Sequence, residues 1–265
     1  MNPYIRLPKV PVLRGRIELI LEKCKGKRVL HLGCVDAGLV HERLRSGELM
    51  HQKLTEVASE LWGIDINAKD VSFLRHQGFN NLIVGDICHL ERIEILRGKE
   101  FDVIVASEVV EHLQNPGLFL DGVKSLMIPG KTELIITVPN AFRVDTLVRL
   151  FRRIEYVHPD HYYWFSYHTI TNFLQKNGFE IEKVYVYFFQ PLHLFKTSIR
   201  KLSPGKKVHK NGFERGKPTF PIALVRRVVN YVRSLPRSLT TAFLLRINPF
   251  FGDGIIIVAR VNTHG

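Results

Sequence analysis

The chain has 265 residues, 45% of them apolar, and a net charge of +13. This is enough for one α/β domain with an insertion and a substantial core. Three cysteines (Cys24, Cys34, Cys88) follow no zinc or disulfide spacing and read as buried thiols of a reducing cytoplasm, and no apolar run approaches the ~20 residues of a spanning helix.

The elements follow in chain order. Residues 1–26 carry three early prolines and no cleavage site, so they read as a helical lead-in rather than a signal peptide. "RVLHLG" (28–33) is an apolar strand ending in Gly33, and "GELMHQKLTEVASE" (47–60) places Leu49, Leu54, Val57 and Ala58 at helical spacing. A second strand (61–67) reaches Asp65, and a helix (70–79) stops at Gly78. A third strand (81–87) reaches Asp86, and a fourth (101–108) reaches Ser107 and Glu108. A helix over 116–127, a strand over 132–140, a helix over 167–179 and strands over 180–189 and 253–261 complete the pattern. Near-continuous apolar strands alternating with helices predict a parallel sheet covered on both faces.

Ligands of a doubly wound sheet bind beyond the carboxyl ends of its strands, so the polar residues there are the candidates. Gly33 lets backbone approach a ligand closely. Asp65 is placed to accept two hydrogen bonds from a ribose diol, and Asp86 with Ile87 suits an adenine amino group and ring face. Ser107 and Glu108 follow. One such acid is usually a turn residue; an ordered series, one per strand, is a specific signal.

The phrases "VLHLGC", "GIDIN", "VGDI", "FDVIVASEVVEHLQNPGLFL" and "ELIITVPN" resemble those of class I S-adenosylmethionine-dependent methyltransferases. "EVVEHLQNPGLFL" is similar to the ubiquinone-biosynthesis and glycan-biosynthesis members. The resemblance covers roughly 25–190 plus the final strand. It implies one domain over 1–265: a doubly wound, mostly parallel seven-stranded sheet whose last strand runs antiparallel, with a basic, partly helical insertion over 191–250. It implies S-adenosylmethionine contacts from Gly33, Cys34, Val35, Asp65, Ile66, Asp86, Ile87, Ser107 and Glu108. A nicotinamide cofactor is disfavoured because the G-x-G-x-x-G fingerprint is absent. The family's acidic residue in the first strand is replaced by His31, and Val35 and Ala37 stand where glycines are usual, so the donor is expected to bind weakly or in a shifted pose.

If the chain turns helical after the fourth strand, Glu108, Glu111 and His112 share a face. The histidine-rich "EYVHPDHYYWFS" (155–166) returns to the same sheet edge. This resembles the metal site of small-RNA 3′-end 2′-O-methyltransferases, which implies a divalent ion such as magnesium on Glu108, Glu111, His112 and His161, with His158 as the alternative fourth ligand. A metal-free base at His112 or His161, beside Glu108, and purely structural roles are the other readings. Trp164 and Phe165 are expected in the core; Tyr162 and Tyr163 fit either packing or a substrate cleft, and the amphipathic helix with Arg149, Arg152 and Arg153 fits either a lid or a solvated charged face.

Charge is unevenly placed: residues 191–265 hold 14 Lys and Arg against 2 Asp and Glu. Arg226, Asn230, Arg233 and Arg237 form one face of a helix within 220–247, opposite Val225, Val228, Val229 and Val232. That pattern fits a solvated core helix or an anionic membrane surface, and less well nucleic acid. The expectation is a cytoplasmic, optionally membrane-peripheral O-methyltransferase acting on a small-molecule hydroxyl, of a sugar or lipid-linked glycan precursor. An RNA ribose methyltransferase and a non-catalytic protein with impaired donor binding are the alternatives.

Overall fold

The computed structural model describes residues 4–150, 153–189 and 244–262. The chain divides into a unit of 1–189 with 249–265 and a second unit of 190–248. The expected helix bearing Arg226, Asn230, Arg233 and Arg237 lies outside the described residues, as does Arg152. Among the described residues no helix is long and apolar enough to cross a membrane.

The first unit is built on one sheet of eight strands: β1 (Val12–Arg14), β2 (Arg28–Leu32), β3 (Glu60–Asp65), β4 (Leu82–Val84), β5 (Val103–Ser107), β6 (Glu133–Pro139), β7 (Phe179–Phe188) and β8 (Gly254–Val261). Their spatial order is β1-β7-β8-β6-β5-β2-β3-β4. Every neighbouring pair is parallel except the two made by β8, which runs antiparallel between β6 and β7. The expected seven strands and antiparallel last strand are present. The eighth is β1, a three-residue edge strand pairing Val12 with Val186; its flanking prolines hid it.

Residue alternation sorts the strands onto two core layers. Leu30, Leu32, Ile104, Ala106, Leu134, Ile136, Ile255 and Ile257 pack on one face; Val29, Val103, Val105, Ile135, Ile256 and Val258 pack on the other. Both faces are apolar because helices cover both, as a parallel sheet requires. The helices are α1 (Ile17–Cys24), α2 (Val40–Arg45), α3 (Met50–Thr55), α4 (Ala68–His76), α5 (Pro116–Leu126), α6 (Val144–Leu150) and α7 (Tyr167–Lys176). The single helix expected over 47–60 is instead α3 alone, preceded by α2, with Gly47 at φ 71° breaking the run between them. Asn67, Asn115 and Ser166 cap α4, α5 and α7 through their side-chain oxygens.

From β2 the chain steps outward through β3 and β4, then returns to lay β5 on the other side of β2. The carboxyl ends of β2 and β5 therefore flank the topological switch point, where open α/β sheets bind ligands.

Candidate functional site

On the β2 side the loop is fixed by main-chain bonds. The Gly33 and Cys34 N–H groups both donate to the Ile64 carbonyl, at 2.9 and 3.1 Å. Gly33 holds φ 70°, and a Cβ there would meet Val109 Cγ2 at 2.5 Å, so only glycine fits. The other left-handed position in the loop is Gly38, at φ 77°. Val35 and Ala37 therefore stand where no positive φ is required.

Asp65, at the end of β3, accepts from Val35 N at 3.1 Å and from Asn67 N at 3.0 Å. Burial raises its pKa, and the backbone donors oppose that rise. Each carboxylate oxygen keeps a lone pair for a diol. Ile66 beside it is 71% exposed, an aliphatic face open to a ring. Asp86 is exposed and accepts from Cys88 N at 2.8 Å. Ile87, expected against adenine, is largely taken up by the core, as is the Cys34 side chain, whose thiol burial pushes its pKa up.

Position 31 departs from expectation. His31 is buried under α3, its Nδ1 lying 3.3 Å from Nδ1 of the buried His51, with the rings stacked. The side chain is committed to a helix–sheet contact with His51. Burial holds both imidazoles neutral, with His51 lowered to about 4.

On the β5 side the site is built from side chains. Glu108 adopts φ 57°, a left-handed conformation that costs a non-glycine residue roughly 1–2 kcal/mol. It is held there by its N–H donating to the Thr137 carbonyl at 3.0 Å and to Thr137 Oγ1 at 3.1 Å. Its Oε1 accepts from Thr137 Oγ1 at 3.0 Å and from the buried Tyr187 hydroxyl at 2.8 Å. Ser107 Oγ lies 3.0 Å from Thr137 Oγ1 and accepts from Arg16 Nε at 2.8 Å. Arg16, Thr137 and Tyr187 were not among the sequence candidates. Each comes from a distant strand or lead-in segment, and only topology aligns them; Gly254, which no larger residue can replace against the Tyr187 ring, was the single local hint.

After Glu108 the chain makes a 3-10 turn, Val110–His112, rather than a continuous helix. The expected continuous helix is therefore replaced by a left-handed Glu108 and a single turn, and Glu108 still acts electrostatically on both Glu111 and His112. Glu111 is 1% exposed with neither carboxylate oxygen hydrogen-bonded. Desolvation, then the neighbouring Glu108, raises its pKa to about 9. The Glu111 carbonyl, by contrast, accepts from Tyr162 N at 2.8 Å and Tyr163 N at 3.3 Å, tying the 158–163 loop to the turn. Tyr163 OH donates to the Gln114 carbonyl at 3.1 Å, and Gln114 Nε2 donates to Tyr162 OH at 3.2 Å.

That latch brings His112, His158 and His161 together, with one ring nitrogen of each within 4.8 Å of the others. Their ring centroids lie 4.4 to 5.5 Å apart. Burial and neighbouring imidazoles lower the pKa of His112, and that of His161 to about 4, so both are neutral near pH 7. Among the described residues the group with mutual ligand spacing is these three histidines, so the expected set of Glu108, Glu111, His112 and His161 does not meet as one group. A magnesium ion, which favours carboxylate oxygens, does not fit these residues as they stand.

Tyr162 is 61% exposed, and Tyr163 and Trp164 also reach the surface, as do Phe142 and Tyr156. Trp164, expected in the core, is outside it; Phe165 is buried, because its bridge to Asn140 turns alternate residues inward. Arg149 on α6 pairs with Asp145 at 2.8 Å and lies 4.3 Å over the Tyr156 ring.

A methyltransferase-domain family matches residues 11–184 of the chain. The mitochondrial ubiquinone biosynthesis O-methyltransferase of Arabidopsis thaliana is 21% identical over 63% of the chain and 51% of its own length. That of Chelativorans sp. is 26% identical over 51% and 49%. The chain thus spans about half the length of these curated relatives. Among solved structures, a SAM-dependent methyltransferase from Archaeoglobus fulgidus is similar with TM-score 0.51 and 22% identity, over 93% of this chain and 95% of that one. A small RNA methyltransferase aligns with TM-score 0.54 and 16% identity, over 98% of this chain and 27% of that one. These likenesses are in fold.

Proposed function

The chain belongs to the methyltransferase-domain family, and from that premise we propose that it transfers a methyl group from S-adenosylmethionine to a hydroxyl of a sugar or lipid-linked glycan precursor. The donor supplies an electrophilic sulfonium methyl. The chain's part is to hold, orient and deprotonate. Gly33 admits the donor backbone-close, Asp65 takes the ribose diol on its free lone pairs, and Ile66 with Asp86 faces the adenine.

The observation that carries the reading is the position of His112. Its turn follows directly on Val109, the side chain that a Cβ on Gly33 would meet, which supports reading His112 as the base on the loop side of the switch point. In transfer, the acceptor oxygen forms its bond to the methyl carbon, the carbon–sulfur pair stays on sulfur, and His112 takes the hydroxyl proton. Such a base contributes about 10²–10⁴-fold. His161, edge-on to His112 with ring centroids 4.4 Å apart, orients it. The exposed Tyr162 and Tyr163 rings give the acceptor ring a face to stack on, and the O-methyltransferase names of the relatives support oxygen as the atom methylated.

The test incubates full-length protein with methyl-labelled S-adenosylmethionine and four acceptors: free sugars, lipid-linked sugars, a polyprenyl phenol and short RNA. Label on a sugar hydroxyl is expected. Label only on the phenol or the RNA would replace this acceptor class, and no transfer to any of them would overturn the reading.

A further inference from the structure

The acceptor side of the sheet edge carries a charged group that methyl transfer itself does not use. We propose that Arg143 determines acceptor specificity by binding an oxyanion, a phosphate ester or a carboxylate, carried by the sugar beside its methylated hydroxyl. This role rests on the sugar-acceptor reading and narrows it to anionic sugars.

The backbone at Arg143 is firmly placed. It lies between β6 and α6, its N–H donating to the Asn140 carbonyl at 3.2 Å and its carbonyl accepting from Leu147 N at 3.3 Å. Asn140 is buried; its Nδ2 donates to the Phe250 and Gly252 carbonyls at 2.6 and 2.9 Å, and its Oδ1 accepts from Phe142 N at 3.1 Å. Ala141 N donates to the Phe165 carbonyl at 2.8 Å, which ties the segment to the end of the histidine-bearing loop. The Arg143 side chain is half-buried, and its Nε donates to Oγ1 of the buried Thr146 at 3.1 Å. A guanidinium fixed through Nε still presents the fork of its two terminal nitrogens, which matches two oxygens of a carboxylate or phosphate.

The acids nearby are engaged elsewhere. Asp145, the nearest in sequence, is paired with Arg149 at 2.8 Å. Asp253 Oδ2 accepts from Phe189 N at 2.9 Å, and Glu108 Oε1 is held by Thr137 and Tyr187. Among the described residues no carboxylate forms an ion pair with Arg143. Its charge is nonetheless felt where transfer is proposed: it disfavours the protonated form of His161 and favours the carboxylate of Asp253.

Half-burial strips water from a guanidinium without returning a counterion, which is costly. An oxyanion on the acceptor returns that counterion, and a two-pronged contact orients the sugar as well as holding it. A neutral sugar leaves the fork unpaired, which is how a polar site rejects an analogue that lacks its partner group.

Turnover and calorimetry on full-length protein test this with glucose, glucose 1-phosphate and glucuronate, the donor being methyl-labelled S-adenosylmethionine for turnover and S-adenosylhomocysteine for binding. Wild type is expected to prefer a charged sugar to glucose, and which one it prefers separates phosphate from carboxylate. Arg143→Gln is expected to lower that preference, read as a ratio of kcat/KM values or of binding constants, about 10–100-fold, the range for one charged hydrogen-bonded contact. The loss should fall on KM rather than kcat. Arg143→Lys, which keeps the charge without the fork, should fall between the two. Equal use of glucose and both charged sugars by wild type would overturn the role of Arg143, with no variant needed, and leave the sugar-acceptor reading standing. So would a preference that survives Arg143→Gln. Neither transfer to nor binding of any of the three sugars would overturn both.

Discussion

On the β2–β3–β4 side of the switch point, each candidate residue is held by backbone: Gly33 by the Ile64 carbonyl, Asp65 by two main-chain N–H groups, Asp86 by one. On the β5–β6 side the candidates are held by side chains, Glu108 by Thr137 and Tyr187, and Ser107 by Arg16 and Thr137. A backbone partner is supplied by any residue, so the first side needs only a glycine and two acids to be specified. The second needs a particular side chain at each of several distant positions. In the proposed reading the first side holds the donor and the second the acceptor and its proton, and substitutions should separate the two.

The largest separation is expected from His112→Ala. Turnover should fall about 10²–10⁴-fold, while donor affinity, read by calorimetry, stays within about twofold. Equal loss of both would show that the two sides are not independent. On the donor side Gly33→Val should abolish donor binding and lower the unfolding free energy by at least about 2 kcal/mol, from the left-handed φ and the clash with Val109. Thermal melts check this, and Gly33→Ala with Val109→Ala should recover part of it.

Asp65→Asn removes a charged acceptor worth about 1.5–3 kcal/mol, so donor affinity should drop roughly ten- to hundredfold. Turnover at saturating donor should change far less. The smallest effect on binding is expected at the His31–His51 pair. His31→Leu with His51→Leu should leave donor affinity within about threefold and act instead on acid stability. Both folded-state pKa values lie below the usual 6.5, with His51 at about 4. The unfolded chain therefore takes up protons first, and wild-type stability is lost as pH falls from about 6.5 toward 4. Melting curves across that range should show a shallower acid loss in the double variant. An unchanged acid limb would remove the pair from the account.

The same contrast explains what the sequence disclosed. The alternating apolar runs disclosed the sheet and its layers, and the strand-end acids marked its carboxyl edge, because each signal is local. Reading "SEVVEHL" as a helix failed because Glu108 turns left-handed under Thr137, a residue on another strand, and that rotates Glu111 into the core. The partner that buries His31 was not legible, because a family motif says which residue is usual while His51 sits on a helix whose placement no motif records. Arg16 and Tyr187 gave no signal, since neither neighbours a motif in sequence.

The central claim is that Gly33, Asp65 and Asp86 still form a working donor site despite His31, Val35 and Ala37. Titrating full-length protein with S-adenosylhomocysteine tests it most directly. Saturable one-to-one binding, weakened in Asp65→Asn and unchanged in His31→Leu with His51→Leu, is predicted. No binding at millimolar ligand would contradict it.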